Sequence, residues 1–307
     1  MQRTAIAVIC LAATLSCPHR VRAAADPGID LDAFDRGMHE ALLPDGIKLA
    51  YADLGPRDGK PVVLIHGYTN DARNWAPLIP RLEAGLRLIL VDMRGHGRSS
   101  KPDCCYSTVD MAYDIVLLLD RLGIKSADVV GHSLGSLVAQ ALAEHWPDRV
   151  GRVVLISSSG GIRPGCAAAG PAAPPLPWLR ARLVALHDPI DPNSRFITDW
   201  YGTPPPDSEL LRRQKRDAAA IPVKIWLALL DQAVTGIDLQ STLMWLRAPT
   251  LLIWGAKDAL IDEPLRCALR EGLPGAQVKV FPDYGHNPFW EDPAAVAAVI
   301  NPFLSGN

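Results

Sequence analysis

Ser133 lies in Gly131-His132-Ser133-Leu134-Gly135, a G-x-S-x-G pattern, and is the residue of this chain best placed to act as a nucleophile. Val129 and Val130 before it read as the end of a buried strand. Leu137, Val138, Ala141 and Leu142 after it recur at helical spacing until Pro147. A serine at so sharp a strand-to-helix turn sits on an unfavourable backbone, and side chains at positions 131 and 135 would collide with the neighbouring strand and helix. Its oxygen would project beside a helix N-terminus, where backbone N–H groups favour developing negative charge. Serine is a poor nucleophile at its free pKa and needs a base. Histidine is the natural base, and a buried carboxylate must hold it in the right tautomer. Asp258 and His286 each follow a strand-like run, and the order Ser133, Asp258, His286 suits this topology. The backbone N–H of Leu134 and that of Tyr68, in the loop after the first parallel strand, are the expected oxyanion donors.

The elements that must position these residues can be read in order. Residues 38–56 form a hairpin about Pro44-Asp45-Gly46. Continuous apolar runs at 61–65 and 86–91 suit strands buried on both faces. Residues 75–82 look helical. A helix over 108–122 carries Met111, Ile115, Leu118, Leu119 and Leu122 on one stripe, with Ser107 and Asp110 as a capping box and Gly123 as its end. Further strands are expected at 153–156, 250–254 and 277–281, a helix over 263–271, and a last helix near Pro293. Strands alternating with helices imply a doubly wound, mostly parallel sheet with ligands at the carboxyl ends of its strands. The pattern breaks near Gly161. Residues 161–177 are rich in Pro, Gly and Ala, and helices follow over 179–186 and 210–234. This insert carries Trp178, Trp200, Trp226 and Trp245 with Phe196 and Tyr201. Most aromatic residues at such spacing are core, but some should line an apolar cavity over the site; Trp178, Trp200 and Trp226 are the candidates. Arg212-Arg213-Gln214-Lys215-Arg216 reads as a solvated helix face.

The 307 residues carry a formal charge of −2 and no basic tract, so nothing invites nucleic acid. Residues 1–25 read as an export signal. Arg3 supplies the positive start, residues 4–15 are apolar but too short to span a bilayer, and Val21-Arg22-Ala23-Ala24-Ala25 offers a cleavage site. Leu15-Ser16-Cys17 faintly resembles a lipoprotein box, with Thr14 where that box usually has leucine. No other run is long enough for a membrane span. The mature chain is thus expected in the periplasm or outside the cell. Cys104, Cys105, Cys166 and Cys267 would remain, and a bridge between the loop at 104–105 and that at 166 is one expectation. Four cysteines allow three full pairings, and sequence leaves them open. No C-x-x-C spacing or His pair points to zinc.

The chain resembles the α/β-hydrolase superfamily, and within it the capped serine hydrolases. The segments that carry the resemblance are Leu64-Ile65-His66-Gly67-Tyr68, Asp92-Met93-Arg94-Gly95-His96-Gly97-Arg98-Ser99, Gly131-His132-Ser133-Leu134-Gly135, Trp254-Gly255-Ala256-Lys257-Asp258 and Gly285-His286-Asn287-Pro288. The resemblance implies an α/β-hydrolase core over 26–160 and 248–307 with a helical cap over 161–247. It implies Ser133 as nucleophile, Asp258 as acid, His286 as base, and Tyr68 and Leu134 as oxyanion donors, with no metal or organic cofactor. Serine rather than aspartate at position 133 argues against dehalogenase or epoxide-hydrolase chemistry. Some relatives place the acid one strand earlier, but Ser157-Ser158-Ser159-Gly160 offers no carboxylate there. Asp262 and Asp283 are rivals to Asp258. His66 is expected to shape the oxyanion loop, His96 to fix a turn, His132 to point away from Ser133, and Asp92 and Arg94 to be structural. The expected activity is hydrolysis of a small hydrophobic ester or lactone. C–C bond hydrolysis, peptide cleavage and perhydrolysis on the same triad are alternatives, and a non-catalytic binder is a further one. Oligomeric state is open.

Overall fold

The structure is a computed structural model that describes residues 28–161, 164–166, 177–201, 208–237 and 239–306. The export-signal expectation for residues 1–25 lies outside the described residues, as does much of the Pro/Gly/Ala-rich stretch. A short helix not foreseen from sequence, α1 (Leu31–Arg36), opens the described chain, capped by Asp30, whose carboxylate accepts from the N–H groups of Asp32 and Ala33.

Eight strands form one sheet in the order β1-β2-β4-β3-β5-β6-β7-β8. β1 (His39–Leu42) and β2 (Lys48–Leu54) are the expected antiparallel hairpin. Gly46 takes a left-handed φ of 86° in its turn, and Asp45 accepts from the Ile47 N–H. β3 (Lys60–Ile65), β4 (Leu86–Asp92), β5 (Ala127–His132), β6 (Val150–Ile156), β7 (Thr250–Gly255) and β8 (Gln277–Phe281) are mutually parallel. Alternation along each strand divides the core between two faces. Val63, Ile65, Ile89, Val91 and Val129 pack on one face with Met111, Ile115, Leu118 and Leu119 of α2 (Thr108–Arg121) and Val138 and Leu142 of α3 (Leu134–His145). Val62, Leu64, Leu88, Leu90 and Val130 face the other way. The Ser107–Asp110 capping box forms as read, and Gly123 follows α2 at a φ of 66°.

In place of a helix over 75–82 there are two 3-10 turns, Ala72–Trp75 and Ile79–Arg81. Pro77 and Pro80 have no N–H for a helical ladder. In place of a helix over 210–234 the chain forms two helices with a break at Pro222. Between β6 and β7 the described helices are α4 (Pro177–Val184), α5 (Arg195–Tyr201), α6 (Glu209–Ala219), α7 (Val223–Leu229), which runs into a π turn at Leu230–Val234, and α8 (Leu239–Thr242). α5 was not foreseen as a helix. The basic run on α6 is not simply a solvated face. Arg212 and Arg216 are exposed, but Gln214 is buried, and Arg213 pairs with Asp32 and Asp35 of α1 at 2.6 and 2.9 Å. Beside it, Arg73 pairs with Asp35, Asp71 and Asp217 and so ties the loop after β3 to both helices.

α9 (Glu263–Gly272), α10 (Pro288–Glu291) and α11 (Pro293–Ser305) complete the fold. Val296, Ile300 and Leu304 of α11 cover the second face of the sheet. Cys166 bonds to Cys267 on α9, and Cys104 to its neighbour Cys105, so the expected bridge between the loops after β4 and β6 is not made. β3 and β5 lie between β4 and β6. The Cα atoms of Cys166 and Cys267 are 5.6 Å apart, within the span a disulfide bridges. No helix among the described residues is long and apolar enough to cross a membrane.

Candidate active site

β5 delivers Ser133 to the carboxyl edge of the sheet, and the chain turns there at φ 51°, ψ −121° before α3 begins. Few non-glycine residues adopt a positive φ, and the surroundings must hold it. The Ser133 N–H donates to the Ile156 carbonyl at 2.9 Å, and the Ser133 carbonyl accepts from the Ser136 N–H at 2.9 Å. The flanking glycines answer to close backbone approach. A Cβ at Gly131 would meet the Gly135 carbonyl, and one at Gly135 would meet the carbonyl oxygens of Ile65 and His66. The first turn of α3 is therefore pressed against the loop after β3.

Two other strand ends meet this turn. The Ser133 hydroxyl donates to His286 Nε2 at 3.0 Å, and His286 Nδ1–H donates to Asp258 Oδ2 at 2.8 Å. A carboxylate only accepts, so this chain of bonds sets the imidazole tautomer. The other Asp258 oxygen accepts from the N–H groups of Leu260 and Ile261 at 2.8 and 3.1 Å. Burial pushes the Asp258 carboxyl up, but the His286 ring and these two N–H groups outweigh it and hold it below the usual carboxylate range. The rivals are engaged elsewhere. Asp262 caps α9 by accepting from the Leu265 N–H, and Asp283 pairs with Lys257 at the surface.

Three buried histidines near the site, His66, His96 and His132, are held neutral. His66 Nε2 accepts from the Met93 N–H, so Nδ1 carries the proton and donates to the Gly67 carbonyl at 2.8 Å. Burial depresses its pKa to about 4. His96 donates to the Arg94 carbonyl, and burial likewise holds its pKa well below the ordinary value. His132 spends its Nε2–H on the His286 carbonyl at 3.0 Å, and burial takes its pKa to about 3. Ser157, itself at a φ of 50°, donates its hydroxyl to that same carbonyl at 2.8 Å. His132 and Ser157 thus grip the His286 loop from below. Neither was foreseen in that position, because adjacency in sequence says nothing about a loop 154 residues away. Arg266 was missed too. It is buried and donates to the carbonyls of Ile261 and Asp258, which fixes the acid loop. Asp92 accepts from the N–H groups of Ala72 and Arg98, and Arg94 forms a two-point pair with Asp114.

Tyr68 follows His66-Gly67 at the end of β3, and its ring is buried. The backbone N–H groups of Tyr68 and Leu134 have no protein acceptor among the described residues. Of the three tryptophans singled out, Trp200 is half-buried above this loop and donates from Nε1 to Thr69 Oγ1 at 2.9 Å. Trp226 has no exposed surface and packs edge-on against Tyr68, Phe196 and Trp200, so it is core rather than wall. Trp178 is 48% exposed. Among the described residues, Cys166, Cys267 and Glu271 are the group that metal-ligand spacing brings together, and its two sulfurs are bonded to each other.

A profile of the alpha/beta hydrolase fold family matches residues 60–293, and the chain belongs to this family as a hydrolase. It is 31% identical over 262 residues to a 2-hydroxy-6-oxononadienedioate/2-hydroxy-6-oxononatrienedioate hydrolase of Paraburkholderia phymatum, covering 80% of this chain and 86% of that protein. It is 33% identical over 245 residues to the dihydrolipoyllysine-residue acetyltransferase component of the acetoin cleaving system of Pseudomonas putida. That match takes in 78% of this chain but only 62% of the longer relative. Among solved structures, the esterase RhEst1 from Rhodococcus sp. ECU1013 superposes with a TM-score of 0.74 at 25% identity, covering 88% of this chain and 98% of that one.

Proposed function

We propose that this hydrolase cleaves carboxylic ester or lactone bonds through an acyl-enzyme. The observation that carries the proposal is the unbroken hydrogen-bond chain from Ser133 through His286 to Asp258. In this reading Ser133 Oγ attacks the carbonyl carbon while its proton passes to His286 Nε2. Asp258 stabilises the imidazolium, and the N–H groups of Tyr68 and Leu134 receive the negative oxygen. His286 then gives the proton to the departing alkoxide, which leaves the acyl group on Ser133. Water, deprotonated by His286, attacks the acyl-enzyme, and the acid leaves as Ser133 regains its proton. The helices between β6 and β7 act as a cap that bounds an apolar acyl site. Likeness to the Rhodococcus esterase supports the ester reading. The two disulfides support the export reading, since such bonds persist in oxidising compartments.

Hydrolysis of p-nitrophenyl esters from C2 to C12, beside Ser133→Ala, tests the proposal. Turnover by the wild type with a loss of at least about a thousandfold in the variant is expected. A wild type inert toward esters and lactones but active on a vinylogous 1,5-diketone would favour C–C bond hydrolysis instead. The name of the Paraburkholderia relative supports that second reading.

A further inference from the structure

Tyr68, Thr69 and Asn70, the residues that follow His66-Gly67, are held mainly by the helices between β6 and β7. The Tyr68 hydroxyl donates to the Trp226 carbonyl at 2.5 Å. Trp200 Nε1 donates to Thr69 Oγ1 at 2.9 Å, and the Tyr201 hydroxyl donates to the Thr69 carbonyl at 3.1 Å. Asn70 donates to Gln214 Oε1 at 3.0 Å, and Gln214 in turn donates to Asp71 at 2.9 Å. Within the loop itself, the Asn70 N–H reaches the Gly67 carbonyl at 3.2 Å, and the Thr69 hydroxyl reaches the Tyr68 carbonyl.

Thr69 has a φ of 65°. A β-branched residue avoids this conformation unless its surroundings impose it. Here α5 supplies the donor to its hydroxyl and the donor to its carbonyl. Relaxation of Thr69 to a negative φ would reorient the Tyr68–Thr69 peptide and carry Tyr68 with it. An oxyanion donor contributes only if it is aimed before charge develops, so its placement acts on the chemical step more than on substrate binding.

We propose that Trp200 and Tyr201 are positioning residues which, through Thr69, aim the Tyr68 N–H at the developing oxyanion, so that docking of α5 is a condition of catalysis. This rests on the reading of Ser133 and Tyr68 given above. It makes the insert part of the catalytic apparatus rather than only a wall over the substrate.

Trp200→Phe, Tyr201→Phe and the double variant each keep a ring and remove one donor or both. Two measurements decide: kcat and KM on the best p-nitrophenyl ester, and the rate at which Ser133 is labelled by a fluorophosphonate, whose phosphoryl oxygen occupies the same N–H groups. The double variant is expected to lose about ten- to a hundredfold in kcat, with KM within about threefold. Its labelling rate is expected to fall by at least about tenfold, with an unchanged melting temperature. If the double variant folds poorly, each single variant is expected to show a smaller loss of the same kind. Wild-type kcat and labelling rate in well-folded variants would overturn the inference, as would a loss confined to KM. A wild type that neither hydrolyses esters nor labels overturns the proposed function itself and this inference with it. An active wild type with indifferent variants overturns this inference alone.

Discussion

Asp258 shows how a residue acquires a task from its neighbours. Asp258, Asp262 and Asp283 are all within reach of the His286 region in sequence, and composition does not separate them. The fold does, because it sends Asp262 to a helix cap and Asp283 to a surface lysine and leaves Asp258 nearly buried against His286. Asp258→Asn should keep the contacts of Oδ1 with Leu260 and Ile261, so the fold should survive. The amide can no longer fix the imidazole tautomer, and a fall in kcat of about 10³–10⁴ is expected from steady-state kinetics. The positions of Ser133 and Asp258 were legible because each follows an apolar run that reads as a buried strand, and that of His286 because it follows the strand-like run 277–281, which the fold places at the exposed edge of the sheet. His132, Ser157 and Arg266 were not. Their partners are backbone carbonyls, which every residue has, so no residue type announces the contact.

At the scale of elements, the turn between β5 and α3 depends on glycine at two points of backbone contact. Gly135→Ala drives a methyl into the carbonyl of Ile65, the last residue of central strand β3, and that of His66 just after it, backbone that has little room to give way. A loss of at least about 3 kcal/mol, or failure to fold, is expected in urea titration; a change within 1 kcal/mol of zero (about a fivefold equilibrium shift) would show that the strand yields. The Cys166–Cys267 bond closes a separation of 101 residues and pins the start of the insert to α9. Cys267→Ser should cost about 2–5 kcal/mol in the same titration. Most strands were legible as short continuous apolar runs, and α2, α3, α9 and α11 as helical patterns with clear starts and stops. The insert was less so. Its helices are short, and what decides their faces is distant. Arg213 and Gln214 sit in a run that looks solvated until α1 and the β3 loop are brought against it. Pairing of the cysteines was illegible because Cys166 meets Cys267 of α9 only once the fold brings together residues 101 apart in sequence.

Over the whole molecule, buried histidines set the acid limit of stability. His66 and His132 have folded pKa values of about 4 and 3, and His96 is also lowered, all through burial. A depressed histidine contributes stability that is present above its unfolded value near 6.5 and is lost as pH falls toward the folded value. The His66 and His132 rings should therefore each cost about 2 kcal/mol between pH 6.5 and about pH 5, and His96 acts in the same direction. Asp92 works in the opposite direction. Burial and the neighbouring Asp71 raise it to about 7, so its contribution is present below the unfolded value and is lost as pH rises through 7. The sum predicts a net fall in urea midpoint on acidification below about pH 6.5, with a shallower slope in His96→Gln. A midpoint that rises toward pH 5 would contradict this sum. The central claim has a more direct test. After treatment with a fluorophosphonate, peptide-mapped mass spectrometry should find one adduct, on Ser133, formed far more slowly in His286→Ala. An adduct on another serine such as Ser136 or Ser157, or none on a folded wild-type chain, would contradict the account.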